Sequence, residues 1–184
     1  YRYSVWVSYV EVYNEKLYDL LESPTQSLLT RPDRSENEST TPAPTRRPLL
    51  LKSEAESGGK FVSGLKEIKV SSILEARELI RCGMENRSVF GTMANRSSSR
   101  SHSVFTIKIL RENTGVDVPL NDVAGLSRKY SVSRLSIVDL AGSERISNTD
   151  ISSGPRLKEA GSINKSLMCL GQCLETMRKN QTRA

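Results

Sequence analysis

Two polar segments beside apolar, β-branched runs restrict the fold of this chain more than any other feature of its sequence. The first, residues 95–102, places three consecutive serines next to Arg100, just before the strand-like run 104–110. The second, residues 139–144, starts with a carboxylate at the end of the apolar run 135–138 and has a glycine three residues later. A carboxylate at a strand exit, with hydroxyls near it, is an oxygen donor set that suits Mg²⁺ beside a phosphate. Because a glycine lets a backbone N–H approach a terminal phosphate, the two segments predict the switch loops of a nucleotide sensor.

Length and composition limit the size and the class of protein that this sequence can form. A chain of 184 residues is long enough to form one domain with a sizeable core. It begins inside a strand-like run without an initiator methionine and ends in a basic, polar tail, which favours an internal piece of a longer protein. No apolar run is long enough to span a bilayer. The three cysteines lack metal-ligand spacing, so we expect buried thiols in a reducing compartment.

The net charge of +6 is unevenly distributed. Residues 61–114 carry nine Lys/Arg against five Asp/Glu, and residues 156–184 carry six against two. Basic surface indicates an anionic partner: nucleic acid, a membrane or an acidic protein lattice. Aromatic residues make up only 5% of the chain and do not interleave with the basic stretches, so a stacking platform for nucleic acid is not expected.

Periodicity predicts strands that alternate with helices. Strand patterns cover residues 3–13, 61–70, 104–110 and 130–140, and helical patterns cover 14–22, 72–84 and 157–177. Residues 23–59, rich in Ser, Thr, Pro, Arg and Glu, are interpreted as a disordered insertion with a strand remnant at 49–51. Residues 113–128 are interpreted as a variable loop insertion or a hairpin. This order indicates an α/β fold with a mixed sheet and helices on both faces.

Two of the predicted helices carry more detailed predictions. Ser72 with Glu75 forms a capping box, and the positions expected to face the core are Ile73, Ala76, Ile80 and Met84. Pro155 fits the first turn of the last helix. The core-facing stripe of that helix is expected to be Ala160, Ile163, Leu167, Leu170, Leu174 and Met177.

Four segments in a fixed order resemble the motor domain of a kinesin, and the resemblance covers nearly the whole chain. They are residues 7–21, the run N-R-S-S-S-R-S-H at 95–102, the run D-L-A-G-S-E at 139–144, and residues 157–167. The resemblance implies a three-layer kinesin-type motor core related to P-loop NTPases. It also implies ATP as the nucleotide and Mg²⁺ as its cofactor.

The roles of the polar residues follow from the same resemblance. Ser99 would bind Mg²⁺, Asp139 would act either as a direct ligand or as a partner of the ligands, and Gly142 would sense the γ-phosphate. Arg100 and Glu144 match a pair that bridges the two switch loops and closes the pocket. The remaining residues matched to the nucleotide-binding loop are Asn95, Ser98, Ser101 and His102. His102, the single histidine of the chain, is expected to serve loop packing rather than to act as a catalytic base.

The helix from residue 157 resembles the element that lies on the microtubule and reports the state of Gly142 and Glu144. The resemblance places Lys158, Asn164 and Lys165 on its track-facing side, and Lys66 and Lys69 in a second microtubule-facing loop. Tubulin is strongly acidic, so these lysines would steer encounter and add salt-sensitive affinity. Ser162 stands where the family commonly has Asn.

The resemblance also implies a location and an assembly state. We expect the protein in the cytoplasm on microtubules, with a homodimer formed through regions outside this chain. The long inserts resemble those of the mitotic kinesin-like subgroup that works at the spindle midzone.

Two segments of the family are absent from this sequence. It contains no G-x-x-x-x-G-K-[ST] phosphate loop and no Y-R-D-S-K-L-T-like run. We therefore expect the parent protein to be a microtubule-stimulated ATP hydrolase and this chain alone to be inactive. The alternative is a non-catalytic kinesin-like microtubule-binding adaptor. A nucleic-acid-binding module would rest on the basic charge alone.

Overall fold

The computed structural model describes residues 1–22, 46–55, 58–90, 100–119, 122–143 and 155–182. The helices are α1 (Ile73–Phe90), α2 (Val123–Lys129) and α3 (Pro155–Gln181). The strands are β1 (Arg2–Tyr13), β2 (Lys16–Asp19), β3 (Leu50–Ser53), β4 (Lys60–Ser63), β5 (Ile68–Val70), β6 (His102–Glu112) and β7 (Tyr130–Asp139). No helix within these ranges combines the length and apolarity that a membrane crossing requires.

The main sheet is built around β1. Its strand order is β2-β1-β6-β7, and β5 pairs with β1 along the same edge as β2. Every ladder between described strands is antiparallel, including the separate β3–β4 pair. The long ladder between β1 and β6 places Tyr9 opposite Phe105 and Glu11 opposite Ser103.

The alternation of side chains along the strands shows that α1 and α3 lie on opposite faces of this sheet. Side chains of directly opposed residues share one face, and successive residues of a strand alternate between faces. Helix α1 contacts the face of Tyr9, because a Cβ added at Gly83 would meet the Tyr9 ring. His102, one residue from Ser103, points to the other face and bonds to Ser166 of α3. The layered α/β arrangement predicted from the sequence, with helices on both faces, is therefore observed, whereas the described strands form antiparallel ladders rather than the predicted mixed sheet.

The core lies between the sheet and α1. Its buried members are Val7, Tyr9, Leu20, Leu21, Val70 and Phe105. The Tyr9 and Phe105 rings meet edge to face, with centroids 5.5 Å apart. Helix α1 begins as predicted: the Glu75 N–H donates to Ser72 Oγ (3.1 Å), and Glu75 Oε2 accepts from the Ser71 N–H (2.7 Å).

The face that α1 turns to the core differs from the prediction. Ala76, Leu79 and Ile80 pack against the core, whereas Ile73 and Met84 are exposed. The helix also continues to Phe90 rather than ending near residue 84. The prediction followed one row of positions and missed the adjacent row, which starts at Leu79 and includes Gly83.

The helix predicted for residues 14–22 is wrong. Asn14 and Glu15 have φ values of 49° and 60°, and they form a two-residue turn between β1 and β2. Positive φ at both central positions gives the twist that a tight hairpin needs, and Asn tolerates this region better than most residues. Residues 16–19 are therefore a strand of a hairpin and not part of a helix.

The two predicted insertions have different outcomes. The strand remnant at 49–51 is confirmed as β3, and a backbone bond from the Leu49 N–H to the Leu17 carbonyl (2.8 Å) ties it to β2. Residues 23–45, 56 and 57 lie outside the described residues. The hairpin considered for 113–128 is wrong, because residues 123–129 form α2, which Asp122 caps through Gly125.

Two expectations of burial are also wrong. Leu170, Leu174 and Met177 of α3 are exposed, so the second half of the predicted stripe does not pack against any described element. Cys169 and Cys173 are exposed free thiols, and Cys82 is half-buried.

Candidate functional site

The candidate site lies where β1, β6 and β7 meet at one end of the sheet. The register places Glu11, Ser103 and Asp139 in one cross-strand row, on the face that α1 covers. Asp139 is the last residue of β7, and its side chain is 65% exposed. An exposed carboxylate at a strand exit is therefore present where the sequence predicted one.

Arg87, in the last turn of α1, lies over this row. Its side chain is only 9% exposed. Its guanidinium donates to Ser101 Oγ (3.0 Å), to the Ser101 carbonyl (2.6 Å) and to Ser103 Oγ (3.2 Å). It also donates to Asp139 Oδ2 at 2.7 Å. One side chain thus joins the segment leading into β6 to the end of β7.

A second arginine, Arg46, pairs with Glu11 at the other end of this row. Glu11 is buried, and one of its oxygens lies 3.9 Å from Arg87 Nε. Its other oxygen pairs with Arg46, which also stacks over the Tyr18 ring at 4.6 Å. Two cations and two carboxylates therefore alternate from the edge of β1 to the exit of β7, which offsets much of the cost of burying Glu11.

His102 connects the second predicted switch loop to α3. Its Nδ1 accepts from the Ala141 N–H (3.0 Å), next to Gly142. Its Nε2 lies 2.8 Å from Ser166 Oγ, and that hydroxyl donates to the Ile163 carbonyl (2.7 Å). Because Nδ1 is an acceptor, the neutral ring must carry its proton on Nε2 and donate to Ser166.

Burial lowers the pKa of His102 below its usual value of 6.5, and the nearby Arg87 cation lowers it further, against a smaller opposing effect of Asp139. The neutral ring that the Ala141 contact requires is therefore the favoured form near neutral pH. The loop-packing role predicted for His102 agrees with these contacts. Nothing in them requires a catalytic base.

Several predicted site residues lie outside the described residues: Asn95, Ser98, Ser99 and Glu144. Ser101 is buried and bonded to Arg87, so its hydroxyl is committed to that contact. Arg100 is half-buried at the start of this segment, and Gly142 is half-buried one residue after Ala141. The described part of the site brings Ser101, His102, Asp139 and Gly142 to one end of the sheet.

The donor set suits Mg²⁺ held jointly with a phosphate group. No cluster of three or more His, Cys, Asp and Glu able to hold a metal ion occurs among the described residues. Mg²⁺ commonly uses one or two carboxylates and takes its other ligands from water and substrate phosphates. The single exposed carboxylate of Asp139, with serine-rich chain before β6, fits that mode.

The residues predicted to face a track lie on two elements. Lys69 pairs with Trp6 in the β1–β5 ladder, so it is on the same face of the sheet as His102 and α3. The Lys66 N–H donates to Asp19 Oδ2 (2.8 Å), a buried carboxylate whose pKa is raised by desolvation. Lys165 is exposed and pairs with Glu15 at 3.2 Å, and Asn164 is half-buried. Lys158 belongs to α3, but its side chain lies outside the described part.

Sequence reasoning did not single out Arg87 or Glu11. The helical pattern was ended before residue 87, and Glu11 reads as a polar position on a strand. The register of β1, β6 and β7 places Glu11 opposite Ser103 and Ser103 opposite Asp139. Both carboxylates therefore lie within reach of Arg87.

A sequence model of the family described as the kinesin motor domain matches residues 1–184. Human kinesin-like protein KIF20A is 41% identical over 181 residues, which cover 98% of this chain and 17% of that protein. The kinesin-like protein subito of Drosophila melanogaster is 41% identical over 172 residues, covering 93% of this chain and 23% of that protein. This chain therefore spans less than a quarter of the length of these relatives.

Solved structures give the same likeness. A structure of kinesin 6 has a TM-score of 0.69 and 38% identity, over 98% of this chain and 40% of that one. A KIF14 dimer with AMP-PNP in complex with a microtubule has a TM-score of 0.68 and 33% identity, over 99% of this chain and 44% of that one.

Proposed function

Because this chain belongs to the kinesin motor domain family, we propose that it carries both switch loops and the track-facing helix of an ATP-driven microtubule motor. The proposal concerns the whole protein, since the chain spans only a part of its relatives. The solved KIF14 relative in complex with a microtubule supports tubulin as the partner.

The observation that carries the proposal is the path from Gly142 to α3. The Ala141 N–H bonds to one nitrogen of His102, and the other nitrogen bonds to Ser166 of α3. A displacement of the Ala141–Gly142 backbone therefore changes a hydrogen bond that ends on the helix. A ligand that contacts Gly142 in only one state would shift the position of α3 by this route, as a switch requires.

The nucleotide would be held mainly by the loops before β6 and after β7. Asp139 and Ser99 would hold Mg²⁺, with Asn95, Ser98 and Arg100 toward the phosphates and Glu144 toward Arg100. When bound, Mg²⁺ would supply positive charge beside the transferred phosphoryl group. The residues of this chain orient that assembly: Arg87 holds Asp139, and His102 holds the backbone before Gly142.

The basic side chains on the α3 side of the sheet would meet the acidic track. Lys69 lies on the same face of the sheet as α3, and Lys165 is exposed on α3. Lys66, Lys158 and Asn164 are proposed to extend this surface. Binding through such groups falls as ionic strength rises, because exposed charges are screened within about 10 Å at 0.1 M salt.

Location and assembly follow from the same proposal. We expect the full-length protein on cytoplasmic microtubules, including the mitotic spindle, as a homodimer joined through segments outside residues 1–184.

The test is ATP turnover by the full-length protein with and without microtubules. We expect strong stimulation by microtubules, and we expect Asp139→Asn to lower the stimulated rate at least about tenfold, the usual scale for a disturbed metal site. Asp117→Asn is the matched control, because Asp117 is exposed in the connection after β6. Stimulation in the control should equal that of the wild type.

The adaptor alternative predicts a different result. Retained microtubule binding without turnover in either condition would identify the protein as a tether, and the motor proposal would then be abandoned. Glu144→Ala is a second variant for the motor, expected to abolish stimulation while nucleotide binding remains.

A further inference from the structure

We infer that Arg87 is a positioning residue for Asp139: it holds the proposed Mg²⁺ carboxylate and couples it to the chain that leads into β6. The inference rests on the proposed role of Asp139. Arg87 lies outside the four segments that carry the family resemblance, on a helix whose predicted part ended before it.

Because of the strand register, one guanidinium can contact both Ser103 and Asp139. Glu11, Ser103 and Asp139 belong to three adjacent strands in one row, and neighbouring strands are about 4.8 Å apart. Glu11 and Asp139 are therefore separated by two strand spacings, with Ser103 between them. Arg87 lies over the central strand and reaches Ser103 Oγ at 3.2 Å and Asp139 Oδ2 at 2.7 Å.

The exposure of the two partners indicates which one orders the other. An aspartate that is 65% exposed ordinarily exchanges between rotamers in solvent, whereas the side chain of Arg87 is 9% exposed. Arg87 is fixed by three further hydrogen bonds to Ser101 and Ser103. Its contact with Asp139 therefore holds the exposed carboxylate in a defined orientation.

Arg87 donates its hydrogen bond to Oδ2 of Asp139. This contact holds one carboxylate oxygen against the buried arginine, and because the carboxylate is planar it fixes the orientation of the whole group. Partners of this type keep a metal-binding carboxylate in place, and their loss commonly costs about 10–100-fold in metal affinity or activity.

The same side chain links the two switch regions. Its Nη2 donates to the Ser101 carbonyl at 2.6 Å, one residue after Arg100. A lysine has three donors on one nitrogen, so it cannot replace the spread-out guanidinium donors that contact four oxygens of Ser101, Ser103 and Asp139. The position therefore requires arginine chemistry and not only positive charge.

The test measures retention of a fluorescent ADP by the full-length protein as free Mg²⁺ is lowered. We expect Arg87→Gln to raise the Mg²⁺ concentration at half-maximal retention about 10–100-fold. Arg87→Lys keeps a cation near Asp139 and should give a smaller shift. Arg81→Gln is the control on the same helix, because Arg81 is exposed and pairs with Glu78 and Glu85; its midpoint should equal the wild-type value.

A double variant separates positioning from general stability. In an Asp139→Asn background, Arg87→Lys should add no further shift, because the group that it positions is already changed. If Arg87→Gln does not fold, this comparison and Arg87→Lys alone decide the result.

An unshifted midpoint in Arg87→Lys, and in folded Arg87→Gln, would overturn the inference while leaving the proposed function intact. A full additional shift in the double variant would also overturn it. A wild-type protein that retains no nucleotide at any Mg²⁺ concentration would overturn the proposed function together with the inference.

Discussion

Gly83→Ala should destabilise the protein, although the same substitution at Gly171, also inside a helix, should stabilise it. Gly83 is buried in α1, and an ideal Cβ there would lie 2.2 Å from Tyr9 Cδ1 and 2.7 Å from Tyr9 Cε1. The ring cannot easily turn away, because Tyr9 is buried and packs edge to face on Phe105. Helix and ring must therefore separate by roughly 1.2 Å to bring the shorter contact to an ordinary 3.4 Å.

Two effects of opposite sign determine the magnitude. Alanine gains up to about 1 kcal/mol over glycine in a helix interior, and overpacking a buried site costs about 1–3 kcal/mol. The short contact is to the body of a fixed ring, so we place the cost at the upper end of that range. The expected net loss is about 1–2 kcal/mol in the free energy of unfolding.

Calorimetric melting of the full-length protein measures this loss, and Gly171→Ala is the matched control. Gly171 lies inside α3, and apart from its chain neighbours and its own helix backbone no described atom lies within 4 Å of its ideal Cβ. Alanine there should therefore stabilise by about 0.5–1 kcal/mol. We expect the melting temperature of the motor domain to fall by several degrees for Gly83→Ala and to rise slightly for Gly171→Ala. A rise for Gly83→Ala equal to that of the control would refute the packing argument.

Three further predictions concern individual polar side chains, of which Asn86 is buried and His102 and Ser166 are half-buried. The pKa of His102 is lowered in the folded state, so its contribution to stability is fully present above pH 6.5 and is lost as pH falls below that value. The melting temperatures of the wild type and His102→Gln should therefore converge on acidification. A difference in melting temperature that does not change with pH would contradict this. Ser166→Ala removes the acceptor of the His102 Nε2–H and should cost about 1 kcal/mol by urea titration, whereas Ser162→Ala, half-buried four residues earlier on α3, should cost less. Asn86→Ala leaves the buried Leu20 carbonyl without its 2.7 Å donor and should cost about 1–3 kcal/mol; a loss no larger than that of the exposed control Ser88→Ala would show that water replaces the amide.

The parts of the fold that were predictable are those with one dominant period. The alternation of 104–110 is confirmed as β6, and the Ser72–Glu75 cap is confirmed at the start of α1. Pro155 starts α3, as its fixed φ and missing N–H favour. In these segments local chemistry and tertiary structure favour the same conformation.

The turn at Asn14–Glu15 could not be read correctly from local signals. Asn before a short apolar run is both a helix cap and a turn residue. The choice depends on pairing with β1, since Leu17 and Asp19 lie opposite Val12 and Val10. The pairing with β1 therefore stabilises a strand here instead of the predicted helix.

The site was predictable in its motifs but not in its supporting groups. Asp139 and His102 were singled out from short patterns, and the structure places both at one end of the sheet. Arg87 lies 52 residues before Asp139 in the chain, and Glu11 precedes both. Only the strand register and the packing of α1 on the sheet bring these three side chains together.

The apolar stripe of α3 shows a different limit. Helical spacing predicted that Leu170, Leu174 and Met177 would be buried, but they are exposed among the described elements. Periodicity identifies the apolar face of a helix and not the partner that covers it. The apolar residues of β7, including Leu135 and Ile137, are likewise exposed at the edge of the described sheet.

The most direct test of the central claim is the microtubule affinity of the full-length protein in its ADP and AMP-PNP states, measured by co-sedimentation. Coupling between two sites typically amounts to about 5–150-fold in affinity, and we predict a ratio in this range for the wild type. His102→Gln, which disturbs the contact between Ala141 and α3, should bring the ratio close to one. Equal affinities in the two states of the wild type would contradict the account, because the nucleotide site and the track-facing helix would then not be coupled.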